Sequence, residues 1–411
     1  MKILWITNVE LPKIAKHFNR EVFVGGWLDQ TSKLLSIEKD VELHILSMVD
    51  DEYDDILIDD IHYYSFKDND KNRLEKIILN NNFDLIHIWG TEYEHSLLAC
   101  QIAKNNNFLD RVVISIQGLV SYISKYHYNS YIPQEDFNKK TIVESLTNKS
   151  NESRKKQMYE RGLKEIECLK LAKHCIGRTD WDEACVKLIN PDINYYYCHE
   201  ILRSGFYKYE WHYDKCDKYT IFFSQTNNPI KGFHLMLEGL KIVKEFYPNV
   251  KLKALGGTKN NLDKFKGGAY RKYILDLINK YDLNNNIEFL GSLNEEEMIK
   301  EYLSCNIFVS ASTIENSSNS ISEAMLLGVP VIASDVGGIK SMLIHNKEGI
   351  LYQADAPYML ASNIMKLFKD DKKSIELGKN ARTRALKDHD VETNMKLLMN
   401  IYKSTKGTEN E

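Results

Sequence analysis

Two glutamates and a lysine stand where short polar loops follow apolar runs, and their spacing suits recognition of a phosphorylated polyol. Glu315 and Glu323 are separated by seven residues within SASTIENSSNSISEAMLLGVPVIASDVGG, residues 310–338. The apolar run 307–310 predicts a strand, and 321–327 predicts a helix closed by Gly328 before another buried strand. Glu315 then lies in the loop at the strand's C-terminal end and Glu323 near the helix start. Both would face the crevice where open α/β sheets bind ligands. Between them Asn316, Ser317, Ser318, Asn319 and Ser320 offer backbone N–H groups at a helix N-terminus, whose dipole favours a phosphate. A carboxylate accepts two hydrogen bonds from a vicinal diol, at roughly 1.5–3 kcal/mol each. One on each side of a diphosphate cradle suits a ribose at one end and a hexose at the other. The alternative is that Glu315 is a surface loop residue and Glu323 a helix-capping carboxylate.

Lys231-Gly232 follows the apolar run 220–224 in FFSQTNNPIKGFHLMLEGL. A lysine can neutralise a diphosphate, and a following glycine lets the backbone approach closely, although a Lys-Gly after a strand is ordinarily a turn. In the first half, Gly25-Gly26 precedes a helix that starts near Trp27. The segment DLIHIWGTEYEHS puts His87 within a strand, where it reads as a core residue. Glu92 and His95 fall in the loop or helix start after it, where side chains can face a substrate. Gln117-Gly118 ends another strand, and Gln117 can hydrogen-bond a ligand but cannot titrate. Arg178 precedes a helix, placed either to meet a phosphate or to pair with an acid.

These residues need a sheet to carry them. Short apolar runs alternate with amphipathic stretches, the pattern of parallel sheets covered by helices. Strands are expected at 2–7, 42–47, 84–89, 112–117 and 174–178, more weakly at 195–198, and in a second set at 220–224, 251–255, 287–290, 307–310, 329–334 and 349–352. Two such sets in 411 residues imply two domains. They are placed at 1–206 and 219–385, with 386–411 forming a last helix and the Tyr-, Lys- and Asp-rich stretch 206–218 as linker. A long helix before 174 offers Tyr159, Leu163, Ile166, Leu169 and Leu171 as its apolar side.

With 43% hydrophobic and 27% charged residues the chain is of the folded, globular class, and a net charge of -4 gives no reason to expect nucleic acid. Seven cysteines without a Cys-x-x-Cys pair suggest buried thiols in a reducing cytoplasm, not a disulfide framework or zinc site. The start at Met1 lacks the features of a signal peptide, and no apolar run is long enough to span a membrane. Acidic clusters at Asp50 to Glu52, Asp54-Asp55, Asp59-Asp60 and Asp68-Asn69-Asp70 read as solvated surface on a polar loop or sheet edge, not as a divalent-ion site. Lys13, Lys16 and Arg20 form a small basic group that reads either as a solvated face or as a membrane contact.

The Glu315 to Glu323 spacing, with the helix and GVPVIASDVGG that follow, resembles the signature of glycosyltransferase family four, and the resemblance extends over nearly the whole chain. It implies an α/β GT-B fold of two facing Rossmann-like domains with an interdomain cleft, the last helix returning toward the first domain. It implies a retaining, metal-independent enzyme with no cofactor, taking a UDP- or GDP-linked sugar as co-substrate. By this resemblance Glu315 contacts the donor sugar and Glu323 the ribose. The amides of 316–320, with Lys231, Gly25 and Gly26, meet the diphosphate. Gln117, Arg178 and Gln225 join the donor site, with Glu92 and His95 as acceptor candidates. Relatives usually carry Gly-Phe-Gly inside the motif, an Arg where Thr226 stands, and a His where Gln117 stands. The family's habits favour a glycan or lipid-linked acceptor in surface polysaccharide synthesis, at the inner face of the membrane. An epimerase on the same fold and a catalytically silent partner of another transferase are the rival readings.

Overall fold

The computed structural model describes residues 1–20, 25–68, 70–257 and 268–405. They fold into two compact units. The first gathers Met1–Ser121, Tyr159–Arg203 and the chain from His389 onward, and the second gathers Tyr122–Met158 and Ser204–Asp388.

The first unit is built on β1 (Lys2–Thr7), β2 (Glu42–Met48), β3 (Ile56–Ile58), β4 (Ile61–Phe66), β5 (Leu85–Trp89), β6 (Val112–Ser115), β7 (His174–Gly177) and β8 (Asn194–Tyr197). Their order across the sheet is β3-β4-β2-β1-β5-β6-β7-β8, parallel throughout except for β3 against β4. β1 lies inside the sheet with both faces covered, which is why it reads as a continuous apolar run. The helix Val391–Thr405 closes this core by laying Met395, Leu398, Ile401 and Tyr402 among Ile3, Trp5 and Leu28. Full burial of such side chains stabilises by about 1.5–3 kcal/mol each.

β3 and β4 are absent from the sequence expectation because β3 is only three residues long beside acidic pairs and His62 and Ser65 interrupt the apolar residues of β4. They form an edge hairpin whose turn residues Asp59 and Asp60 both adopt positive φ, 49° and 60°. Most of the acidic clusters here belong to surface ion pairs: Asp51 with Arg20, Glu52 and Asp54 with Arg73, Asp59 with Lys13. Asp70 caps the helix Lys71–Asn80 by accepting from the Arg73 N–H, and Asn69 lies outside the described residues.

The second unit is built on β9 (Thr220–Phe223), β10 (Lys251–Leu255), β11 (Ile287–Gly291), β12 (Ile307–Ser310), β13 (Val331–Ser334) and β14 (Ile350–Tyr352). They are all parallel, in the order β11-β10-β9-β12-β13-β14. This is the doubly wound order, three strands running one way from β9 and three the other. Its topological switch point lies between β9 and β12, where such sheets take ligands at their carboxyl ends.

Three sequence expectations are corrected. A continuous first domain 1–206 does not describe the packing, because Ile132 and Phe137 join the second unit's core with Phe233 and Tyr270. Glu144 there accepts from the Ala269 N–H at 3.0 Å. The stretch 206–218 is no free linker. Phe206 packs edge-on against Tyr302, and the buried Trp211 donates its indole N–H to the Cys305 carbonyl at 2.8 Å. On the helix Asn151–Leu171 the buried side is not the one that Tyr159 and Leu163 would make, since both are exposed. Gly162, Glu165 and Cys168 turn inward together with the expected Leu169, because Gly162 abuts the Ser121 backbone and Glu165 is bound by loop donors.

Candidate functional site

At the switch point of the second unit, local backbone chemistry brings two loops together. After β9 the chain makes a short 3-10 turn, Pro229–Lys231, capped by the Asn228 side chain accepting from the Ile230 N–H. Gly232 ends it at φ 70° and opens the helix Phe233–Phe246. A Cβ at Gly232 would stand 1.8 Å from the Ala311 carbonyl oxygen, so only glycine permits this approach to the end of β12. The Thr313 N–H donates to the Ile230 carbonyl at 2.7 Å and locks the loops in register. From the other side Gly337, at φ 49°, leaves room for the Glu315 carbonyl, which accepts from the Gly338 N–H at 3.0 Å.

The consequence is that Lys231 Nζ lies 2.7 Å from Glu315 Oε2, which also accepts from Ser312 Oγ at 3.1 Å. The two side chains are 27% and 13% exposed. Glu315 is therefore neither fully buried nor a free surface residue. Downstream, the helix Asn319–Leu327 starts at Ser318 with no side-chain cap, which leaves its first-turn amides for another acceptor. Asn316 and Ser318 are buried, whereas Ser317, Asn319 and Ser320 are half-buried, and the Ser320 carbonyl accepts from Tyr302. Glu323 is buried at the fifth helical position, two beyond where a capping-box carboxylate sits, so capping does not account for it. Gln225 is exposed just past β9. Thr226 is buried beneath Gly256, with its N–H donated to the Leu255 carbonyl.

The first unit treats its expected site residues differently. Gly25 caps the helix Gly26–Ser36 at φ 78°, and a Cβ at Gly26 would meet the Arg203 side chain at 2.8 Å. Arg203 was not anticipated, because an arginine near a domain boundary carries no signal of its own. Arg178 pairs closely with Glu200 and donates to the Ile116 carbonyl at 2.8 Å, which decides for the acid partner over the phosphate. Gln117 donates to the same Glu200 at 3.2 Å. Arg178 Nε and Glu200 Oε2 stay buried without a hydrogen-bond partner. Together with Trp89, Ser115 and Asn394 these groups line one pocket.

Glu92 and His95 do not lie open to an acceptor. Glu92 is buried, accepts from the Thr91 N–H at 3.1 Å and lies 3.7 Å from Arg161, and burial raises its carboxyl above the ordinary range. The His95 ring stacks on Tyr93 and meets Phe66 edge-on, with neither nitrogen hydrogen-bonded. Burial lowers it to about 4, so it is neutral at pH 7. His87 is a core residue, bonded to Tyr402 at 2.6 Å and Ser115 at 2.7 Å, and burial lowers it to about 3. Glu165, missed in the sequence because it interrupts an apolar helix face, accepts from Thr91, Val120 and Ser121 and braces the loops after β5 and β6. Burial raises it to about 7.

Comparison with known proteins gives a family match within the second unit. Residues 212–384 match the family described as glycosyl transferases group 1. A D-inositol 3-phosphate glycosyltransferase of Corynebacterium urealyticum is 25% identical over 177 residues, 43% of this chain and 40% of that protein. The capsular polysaccharide biosynthesis glycosyltransferase CapM of Staphylococcus aureus is 27% identical over 156 residues, 38% of either chain. This chain thus spans less than half the length of these curated relatives. Among solved structures, the sucrose-phosphate synthase of Thermosynechococcus elongatus aligns over 98% of both chains with a TM-score of 0.72 and 18% identity. HepE of Anabaena in complex with UDP aligns over 98% of this chain and 100% of that one, with a TM-score of 0.69 and 15% identity. The fold is that of these GT-B proteins.

Proposed function

We propose that this chain, whose residues 212–384 belong to the group 1 glycosyl transferases, is a retaining glycosyltransferase moving a hexose-type sugar from a nucleoside-diphosphate donor to a glycan or lipid-linked acceptor in surface polysaccharide synthesis. The observation that carries the proposal is the Lys231–Glu315 pair at the switch point beside an uncapped helix start. An arriving diphosphate draws Lys231 off Glu315, since two negative charges outweigh one carboxylate, and the amides of Ser317, Asn319 and Ser320, flanking the Ser318 N–H that donates to Met342 Sδ at 3.3 Å, take the remaining phosphate oxygens. Glu315, relieved of its partner, accepts hydrogen bonds from the sugar hydroxyls, and Glu323 from the ribose. The bond from the anomeric carbon to the diphosphate oxygen then breaks through an oxocarbenium-like transition state. The acceptor hydroxyl attacks on the same face, and its proton passes to the departing diphosphate. Lys231 and the amides stabilise the charge that develops there, a role that calls for no metal ion in this reading.

A UDP-linked donor has the support of the UDP held by HepE, and GDP is the alternative base. The reading places the protein in the cytoplasm with peripheral contact at the inner face of the membrane. No helix among the described residues is long and apolar enough to cross one. Of the small basic group, Lys13 is paired with Asp59 and Arg20 with Glu10 and Asp51, which favours the solvated face over a lipid contact. The test is release of nucleoside diphosphate from UDP- and GDP-sugars with acceptor extracts. Glu315→Ala should lower turnover about 10²–10³-fold with an unchanged unfolding midpoint. Wild-type turnover in a folded Glu315→Ala protein would refute the assignment.

A further inference from the structure

The expected strand β2 and the concealed strand β4 together carry a cluster apart from the sites above. Glu42 and His44 lie two residues apart on β2, hence on one face, and the ladder sets His44 directly opposite His62 on β4. The two imidazoles lie 4.4 Å apart with 12° between their planes. One ligand atom from each of Glu42, His44 and His62 falls within 4.8 Å of the others. Each ring is held from behind: His62 Nδ1 is 2.6 Å from Asp55 Oδ1, and His44 Nδ1 is 3.3 Å from the Tyr64 hydroxyl. That leaves the Nε2 atoms as ligands, and His44 Nε2 already points at Glu42 Oε1, 2.7 Å away. A carboxylate or hydroxyl on the far nitrogen is what fixes the tautomer and direction of a metal-binding histidine.

We propose that Glu42, His44 and His62 form a binding site for a borderline divalent transition metal, Zn²⁺ foremost, with Asp55 and Tyr64 as its outer supports. Two imidazoles and one carboxylate suit that class of ion, whereas Mg²⁺ and Ca²⁺ call for oxygen donors. His44 is 2% exposed, so its ring is held in place by the packing around it. The cation facing Glu42 is Lys2, 3.4 Å away on β1, and an ion at the site displaces it. The nearly parallel rings must splay for both lone pairs to meet one ion, and His62, the more exposed of the two, is the one with room to tilt. Glu42 opens β2 and His62 stands second in β4, so the site lies at the end of the sheet opposite the ligand-binding loops. An ion there ties the edge hairpin to the sheet and takes no part in transfer.

The experiment titrates chelator-stripped full-length protein with ZnCl₂, and separately with MgCl₂, by calorimetry and thermal unfolding. Wild type should bind one Zn²⁺ per chain saturably and unfold at higher temperature with it. His62→Gln or Glu42→Gln should weaken binding by about 100-fold, and Asp55→Asn by about 10-fold, with unchanged circular dichroism. Absence of saturable Zn²⁺ binding, an equal response to Mg²⁺, or wild-type affinity in folded His62→Gln and Glu42→Gln proteins would each overturn the proposal.

Discussion

The two sheets share a strand order around their first strand, yet their polar residues behave in opposite ways at the carboxyl ends of the strands. In the second unit Lys231 and Glu315 meet in a single half-open pair, next to a helix whose first amides lack a side-chain cap. In the first unit the charged groups point inward and are held by several partners. Arg178 binds Glu200 and a carbonyl, Glu165 collects donors from two loops, and Glu92 is held between Thr91 and Arg161. A charge with one exchangeable partner can give it up to a ligand, whereas a charge with several rigid partners holds its own loops in place. Residue type alone does not separate these uses, but the number and burial of the partners does.

Breaking the buried pair should give the largest effect. Arg178→Met leaves the Glu200 carboxylate buried without its cation and should cost about 3–5 kcal/mol of stability in urea denaturation. Adding Glu200→Leu should recover much of that loss, and full additivity of the two changes would show that the pair is not coupled. Next comes the exchangeable pair. Lys231→Ala should leave the urea midpoint nearly unchanged, because its pair is partly open to water and worth about 1 kcal/mol or less, while turnover drops about 10²–10³-fold. A drop in stability as large as that of Arg178→Met would erase the distinction between the two units.

The pH dependence of stability sharpens the contrast further. His87, held at about 3, and His95, held at about 4, both sit below the ordinary 6.5. Their stabilisation is therefore present above pH 6.5 and lost as pH falls toward those values. Glu165, raised from 4.5 to about 7, works in the other sense, its contribution present below pH 4.5 and lost as pH rises through 7. Urea midpoints between about pH 3 and 8 should show the histidine limb alone below pH 4.5 and the Glu165 limb alone above pH 6.5. Glu165→Gln should flatten the upper one and His87→Gln the lower, and profiles unchanged by either substitution would deny these groups their place. The smallest effect is expected of His95→Phe, an aromatic exchange between Tyr93 and Phe66, which should change turnover by less than about twofold because overpacking is slight. A turnover loss above tenfold at equal stability would restore His95 to the acceptor site.

The second unit was largely legible in the sequence because its chemistry is local. Lys231 follows its strand within one short turn, Glu315 and Glu323 share one strand-loop-helix segment, and Gly232 and Gly328 mark the breaks. All six strands of that sheet fall where short buried runs predict them. What the pattern could not show was that Gly232 and Gly337 press the two loops together, since each clash involves a carbonyl far along the chain. The first unit was less legible for the same reason. The partner of Arg178 is 22 residues away on the far side of a helix and strand, and Glu165 looks like a misplaced charge until the loops that donate to it are folded. β4 carries polar residues on a strand next to the sheet edge, so its period is hidden by the acids around it. The insertion Tyr122–Met158 is polar and rich in Lys, Asn and Ser, and that composition does not say which unit it joins.

The most direct test of the central claim is calorimetric titration of UDP and GDP into wild type and into Lys231→Ala. One saturable site in the wild type, weakened about 10–150-fold in the variant as loss of a charge-assisted contact requires, is the predicted result. Equal affinity in the two proteins would contradict the claim that Lys231 leaves Glu315 to hold the donor's diphosphate.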